Sequence, residues 1–339
     1  MKKILLPETA GRYKANLHCH TTISDGRMTP EQVKEYYKER GYSIVAYTDH
    51  GIMVNQNHLT DDEFLALNGY ELDVTESKPD KSFKFKRTCH FCLVALDPDN
   101  LVNVACSGGR YVKRESSKAY LDKVVYDKNE PDIEREYSAE CLSEMMKRCR
   151  DAGFFVTYNH PGWSFESYPE FMSYDGYQAM EIINYASYVE GYPEHNEAFY
   201  DDMLRAGKRI FAVADDDNHA ADTSCGAYII VLADKLEYKT VTDAIARGDF
   251  YASEGPEIKA LWYEDGKVHI KTSPARQIRM NLGVRGAQVV TAEGELLTEA
   301  TFPLDPEGIY FRLTVQDDRG LFAHTSAFFI DELGLSEEN

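Results

Sequence analysis

Residues 29–50, TPEQVKEYYKERGYSIVAYTDH, carry a pattern that decides the fold. Thr29 is a helix N-cap type, and Pro30 suits the first helical position, where its missing N–H costs nothing. An amphipathic run follows and stops at Gly41. YSIVAYT (42–48) is then short and apolar, the mark of a buried strand, and it delivers Asp49 and His50 at its end. SAECLSEMMKRCRDAGFFVTYNHPG (138–162) repeats the order of helix, glycine (Gly153), strand and histidine (His160). PEHNEAFYDDMLRAGKRIFAVADDDNH (193–219) does so a third time, with Gly207, a strand, and Asp217-Asn218-His219. Helices alternating with short apolar strands predict βα units around a parallel sheet or barrel. In such folds the chemistry gathers at the carboxyl ends of the strands.

Other segments extend the pattern. NLHCHTTISDG (16–26) places His18 and His20 two residues apart, so on a strand they share one face, with Asp25 just behind. FLALNGYELDV sets Glu71 after an apolar run and a Gly-Tyr turn, and CHFCLVALDP sets His90 at the start of a strand that runs against the others. MEIIN (180–184) ends a further strand, so Glu181 and Asn184 support the site from below. Residues 98–131 show no strand period and many basic side chains, an insertion over the barrel mouth. After GDFYASEGP (248–256) the period becomes two: EIKALWYEDGKVHIK pairs strands across an Asp265-Gly266 turn. IYFRLTVQDDRGLFAHTSAFFI adds a hairpin with Phe311, Leu313 and Val315 on one face. This predicts a small all-β, sandwich-like module over 257–332 behind a hydrolase-type domain over 12–255.

Composition bounds what the chain can do. At 339 residues it exceeds one comfortable core, and its 43% hydrophobic and 28% charged residues are those of a soluble protein. No apolar run approaches the roughly 20 residues of a membrane span, and the start has only a short apolar run, far from a signal-peptide core. The seven scattered cysteines suit a reducing cytoplasm. Cys89 and Cys92 face opposite sides of a strand and make no redox pair. A formal charge of −20 repels bulk nucleic acid and anionic membrane. An anionic substrate remains open where bound cations reverse the local field.

Of ten histidines, six sit at predicted strand ends beside acids: His18, His20, His50, His90, His160 and His219. With Asp25, Glu71 and Asp217 they make nine donors, too many for one ion of about four to six ligands. The set implies two to three divalent ions with a bridging carboxylate; imidazole with carboxylate suits zinc, manganese or iron. Asp215 and Asp216 compete with Asp217 for the last carboxylate position. Asp49 and Asn159 precede ligands and are expected to orient them.

HCHTTISDG, TDHG, Glu71 after NGY, NHP and DDNH, in that order, resemble the PHP (polymerase and histidinol phosphatase) superfamily over about residues 12–255. The FYASEGP junction and the β module resemble its CehA/McbA-type branch. The resemblance implies a distorted (β/α)7 barrel followed by the β domain, with a trinuclear site at one mouth. It implies His18, His20, Glu71 and Asp217 on the first ion, Glu71 bridging to a second held by His90 and His160, and Asp25, His50 and His219 on the third. It also implies phosphoester hydrolysis.

A bridged metal pair would present hydroxide at neutral pH for attack on a small phosphorylated substrate. Besides bridging Glu71, Asp25 or His219 could protonate the leaving oxygen. Arg27, Arg110, Lys113 or Arg114 could meet the phosphate. The same site could hydrolyse a carbamate, ester or amide, with the aromatic run PGWSFESYPEFMSYDGY lining an apolar slot. A non-catalytic, metal-stabilised binding module is the third reading, opposed by the absence of a basic stripe and by a donor at every position. The β module leaves a homo-oligomer open.

Overall fold

The structure is a computed structural model, and it describes residues 2–8, 11–77 and 85–334. Seven strands surround the site: β1 (Gly11–Asn16), β2 (Ile44–Tyr47), β3 (Leu65–Thr75), β4 (Thr88–Ala95), β5 (Phe154–Tyr158), β6 (Ala179–Asn184) and β7 (Phe211–Asp215). They lie in that spatial order, and all neighbours are parallel except β4, which runs antiparallel to β3 and β5. Past their ends, the chains leaving β1 and β7 meet. Asp217 N–H donates to His18 O at 3.0 Å, His20 N–H to Asn218 O at 3.2 Å, and Leu17 N–H to the Asp215 carboxylate at 2.7 Å.

The helices follow the sequence pattern. Helix α1 (Pro30–Lys38) is capped by Thr29, whose side chain accepts from Gln32 N, while Gln32 reaches back to the Thr29 N–H. Helices α2 (Ala139–Asp151) and α3 (Glu197–Arg205) lead into β5 and towards β7. Their buried stripes, Leu142, Met145, Met146 and Cys149 on α2, with Tyr200, Met203 and Leu204 on α3, share one core with β3 to β7. Helix α4 (Tyr238–Arg247) packs Val241, Ala244 and Ile245 against Ala15, Ile44, Leu65, Val94, Phe155 and Val213.

β8 (Tyr228–Ala233) and β9 (Phe250–Ser253) continue the sheet beyond β1, antiparallel. The C-terminal strands are β10 (Ile258–Glu264), β11 (Lys267–Ala275), β12 (Gln277–Leu282), β13 (Gln288–Thr291), β14 (Leu297–Pro303), β15 (Tyr310–Gln316) and β16 (Phe322–Thr325). The order β9-β16-β15-β12-β13 extends the large sheet without a break, and β10, β11 and β14 form a second sheet with Lys3–Ile4 at its edge. Phe311, Leu313 and Val315 share one buried cluster with Leu261, Val268, Ile270 and Phe302 of that second sheet.

One local expectation is corrected. Gly69-Tyr70 is no turn, because β3 runs unbroken from Leu65 to Thr75. A Cβ on Gly69 would lie 2.4 Å from Leu93 O, so the glycine permits close approach of β4. Among the described residues no helix is long and apolar enough to cross a membrane.

Candidate metal centre

Side chains alternate along a strand, so each strand's inward face can be read upward from the core. On β3 that face runs Leu65, Leu67, Gly69, Glu71; on β4, reversed, it runs Val94, Cys92, His90. On β7 it runs Val213, Asp215 and on to Asp217. Apolar at the bottom and ligating at the top, these faces converge on one mouth. Because β4 is antiparallel, a residue at its start reaches the same mouth as those at the ends of its neighbours.

All nine donors predicted from the sequence meet there. His18 Nε2 and His20 Nε2 are 3.1 Å apart, and Asp217 Oδ1 lies 3.2 and 3.0 Å from them. Glu71 is fully buried at the centre. Its Oε1 is 3.0 Å from His90 Nδ1 and 3.4 Å from both His160 Nε2 and His18 Nε2, and its Oε2 is 2.7 Å from His50 Nδ1. Asp25 faces His20, His50 and His219 at 3.9, 3.6 and 3.6 Å. Four donor groups result: His18 with His20 and Asp217; His18 with Glu71 and His160; His50 with Glu71 and His90; and His20 with Asp25, His50 and His219.

The fit to cations has an independent mark. His20 Nδ1 is buried with no hydrogen-bond partner, an arrangement costly for protein alone and natural for an atom that binds an ion. His160 and Asp217 also hold left-handed backbone, with φ of 24° and 53°, at a cost of about 1–3 kcal/mol each.

Mutual charge governs protonation here. Burial opposes charge on Glu71, yet the imidazoles of His90, His50 and His18 hold its carboxyl well below the usual range. Burial likewise opposes charge on Asp217, and His18, His20 and His160 hold it down. His20 is lowered to about 3 by burial and by His50 and His219, so it is a neutral donor. His50 resists burial through Glu71 and Asp25 and rises to about 9.

Supporting groups fix the ring orientations. Glu181 Oε1 accepts from His18 Nδ1 at 2.6 Å, and Oε2 accepts from His160 N–H and Asn184 Nδ2, so both MEIIN residues sit under the site as expected. Asn159 donates to Glu71 Oε1 at 3.2 Å. Asp49 differs from expectation: it touches no histidine and instead accepts from the N–H and hydroxyl groups of Thr21 and Ser24, pinning the loop that carries Asp25. Asp215 and Asp216 are occupied by backbone N–H groups (Leu17; Cys225, Gly226 and Ala227), leaving Asp217 for the centre.

The centre opens into a cleft of about 840 Å³. Arg27, Lys113 and Arg114 line it, but Lys113 pairs with Asp73 and Arg114 with Asp25. Arg110 is a correction: its guanidinium turns outward to Asp132 at 3.0 Å and is 55% exposed, outside the cleft lining. Trp163 packs on His90 and His160, with ring centroids 5.3 and 5.0 Å apart. Asp73, Thr75 and Glu190 on the walls went unread in the sequence, although Asp73 and Thr75 share the strand face of Glu71.

Three solved structures are similar. A two-domain protein of Bacteroides vulgatus containing a predicted PHP-like metal-dependent phosphoesterase is 13% identical, with 96% of this chain and 98% of that one covered, at a TM-score of 0.45. A protein of Bifidobacterium adolescentis assigned as a metal-dependent phosphoesterase is 17% identical over 71% and 96% of the two chains, at 0.40. An amidohydrolase of Chromobacterium violaceum with bound sulfate and no metal is 15% identical over 61% and 87%, at 0.39. Likenesses this distant do not decide a reaction. No family model matches the chain, and no curated protein matches it.

Proposed function

We propose that the chain is a PHP-type metal-dependent phosphoesterase acting on a small phosphorylated substrate, with a distorted seven-stranded barrel over 12–255 and a β domain over 257–332. The observation that carries this reading is the convergence of nine imidazole and carboxylate donors around one buried glutamate, Glu71. Divalent cations on these donors would acidify water and draw charge from a phosphoryl oxygen. His18, His20 and Asp217 hold the first position, Glu71 bridges it to His90 and His160, and Asp25, His50 and His219 hold the third. Two to three ions of zinc, manganese or iron suit such donors.

Arg27 lines the cleft, and among the described residues no side chain pairs with its guanidinium, so it is free for a non-reacting phosphate oxygen. His219 is 39% exposed at the cleft edge, and its Nδ1 donates to Asp217 O at 3.0 Å, which leaves Nε2 facing Asp25 at 3.6 Å as the nitrogen available to the third position. Trp163 and Tyr111 on the same walls favour a second reading, a carbamate, ester or amide whose apolar part packs there.

The test is elemental analysis of protein purified without chelators, with turnover of p-nitrophenyl phosphate, bis-p-nitrophenyl phosphate and 1-naphthyl acetate on the same sample. Bound ions with phosphoester turnover are expected. Ester turnover alone transfers the site to the second reading, and a protein that takes up neither manganese nor zinc ends both. Glu71→Ala should lose the bridged ions and reduce turnover by more than about a thousandfold; normal metal content with normal turnover would contradict its bridging place.

A further inference from the structure

Arg114 reaches from the 98–131 insertion to Asp25, its Nη2 2.6 Å from Asp25 Oδ2. The contact is built rather than casual. The short helix Glu115–Lys118 that follows is tied to the same loop, with Ser117 Oγ donating to Ile23 O at 2.9 Å and Ser116 Oγ to Ser24 O. Lys113 is held on Asp73, two residues beyond Glu71. The insertion therefore docks on both sides of the mouth and aims one guanidinium at one carboxylate.

That carboxylate is the single anionic donor in its group, beside His20, His50 and His219. His20 Nδ1, buried and without a hydrogen-bond partner, faces it at 3.9 Å. A divalent ion on these four donors would share Asp25 with Arg114, placing two cations on one carboxylate. The positions around Glu71 and Asp217 have two carboxylates between them and no cationic side chain in contact among the described residues.

We propose that Arg114 is the built-in competitor of the third metal position: it weakens that ion relative to the other two, and an anionic substrate that draws the guanidinium off Asp25 loads it. The coupling is reciprocal by linkage, so the third ion also releases Arg114 towards the anion. This rests on the metal-centre reading above and adds to it a switch in which substrate completes the site.

The experiment is calorimetric titration of the chelator-stripped full chain with manganese, with elemental analysis of the endpoint, for wild type, Arg114→Ala and Arg114→Lys. Wild type should take two ions more tightly than the third. Arg114→Ala should tighten the third by about tenfold and leave the first two within about threefold, while Arg114→Lys, which keeps the charge, stays near wild type. Inorganic phosphate should tighten the third ion more in wild type than in Arg114→Ala. Three equally tight ions in wild type, an unchanged or weaker third ion in Arg114→Ala, or equal phosphate effects in both would overturn the proposal and leave the metal centre standing. A wild-type protein that binds no manganese would overturn the metal centre itself, and this proposal with it.

Discussion

At the scale of single residues, the centre depends on carboxylates that touch histidines from behind. Glu181, fully buried, accepts from His18 Nδ1, which fixes the tautomer and leaves Nε2 as the donor facing Asp217 and Glu71. Glu181→Gln keeps an acceptor oxygen but removes the charge, and affinity at the first metal position should fall about 10–100-fold, read by competition with a chromophoric chelator. An unchanged affinity would show that His18 is oriented by packing alone. Motif spacing made legible which side chains meet at the mouth, with Asp217 there while Asp215 and Asp216 bind backbone N–H groups. It misplaced Arg110, because a charge in an irregular insertion has no period that says which way it points.

Elements explain why spacing sufficed for the donors. On β2, β3, β4 and β7 the donor follows, in alternation, residues that are apolar lower down, and that alternation is visible in the sequence. On β1 the residues in step with His18 are Arg12, Lys14 and Asn16, so there the motif and not the alternation marks the donors. Its failures are equally physical. NGY has the composition of a turn, yet Gly69 lies inside β3, where Leu93 O leaves no room for a Cβ. Gly69→Ala should therefore destabilise the fold by about 1–3 kcal/mol in urea unfolding, since the neighbouring backbone must give; a neutral variant would mean β4 relaxes freely.

The turn after β5 is held differently. The Glu166 carboxylate accepts from Tyr137, Tyr158 and Tyr174, each at 2.6 Å, while Glu166 N–H donates to Pro161 O beside His160. Burial outweighs those hydrogen bonds and raises the Glu166 carboxyl to about 7 from an ordinary 4.5. The folded state thus holds a proton that the unfolded state has lost. This group's stability is full below pH 4.5 and falls by roughly 3 kcal/mol as pH rises to about 7, then levels. Glu166→Gln should remove that slope, so the stability difference between the two proteins changes across this window; parallel pH curves would contradict it.

For the whole molecule, the change to period two after residue 256 marked where the β strands begin, but not how they attach. Those strands continue the large sheet through β9 and β16, and Lys3–Ile4 pairs with β10, a partnership no local pattern announces. Side chains add further ties: Ser326 Oγ accepts from Ala212 N–H, Tyr200 OH from Ala327 N–H, and Arg312, 1% exposed, grips Asp201 of α3 with two bonds of 2.8 Å. With hydrogen bonds running through both parts, neither can unfold without exposing sheet edge and stranding charge. Calorimetry of the full chain should therefore give one transition, with calorimetric and van't Hoff enthalpies in agreement. Arg312→Ala strands Asp201 and should cost about 3 kcal/mol, lowering the midpoint of that single transition. Two transitions in the wild-type protein would mean that the strands after residue 256 fold as an independent unit, and that the continuous sheet carries no cooperativity across β9 and β16.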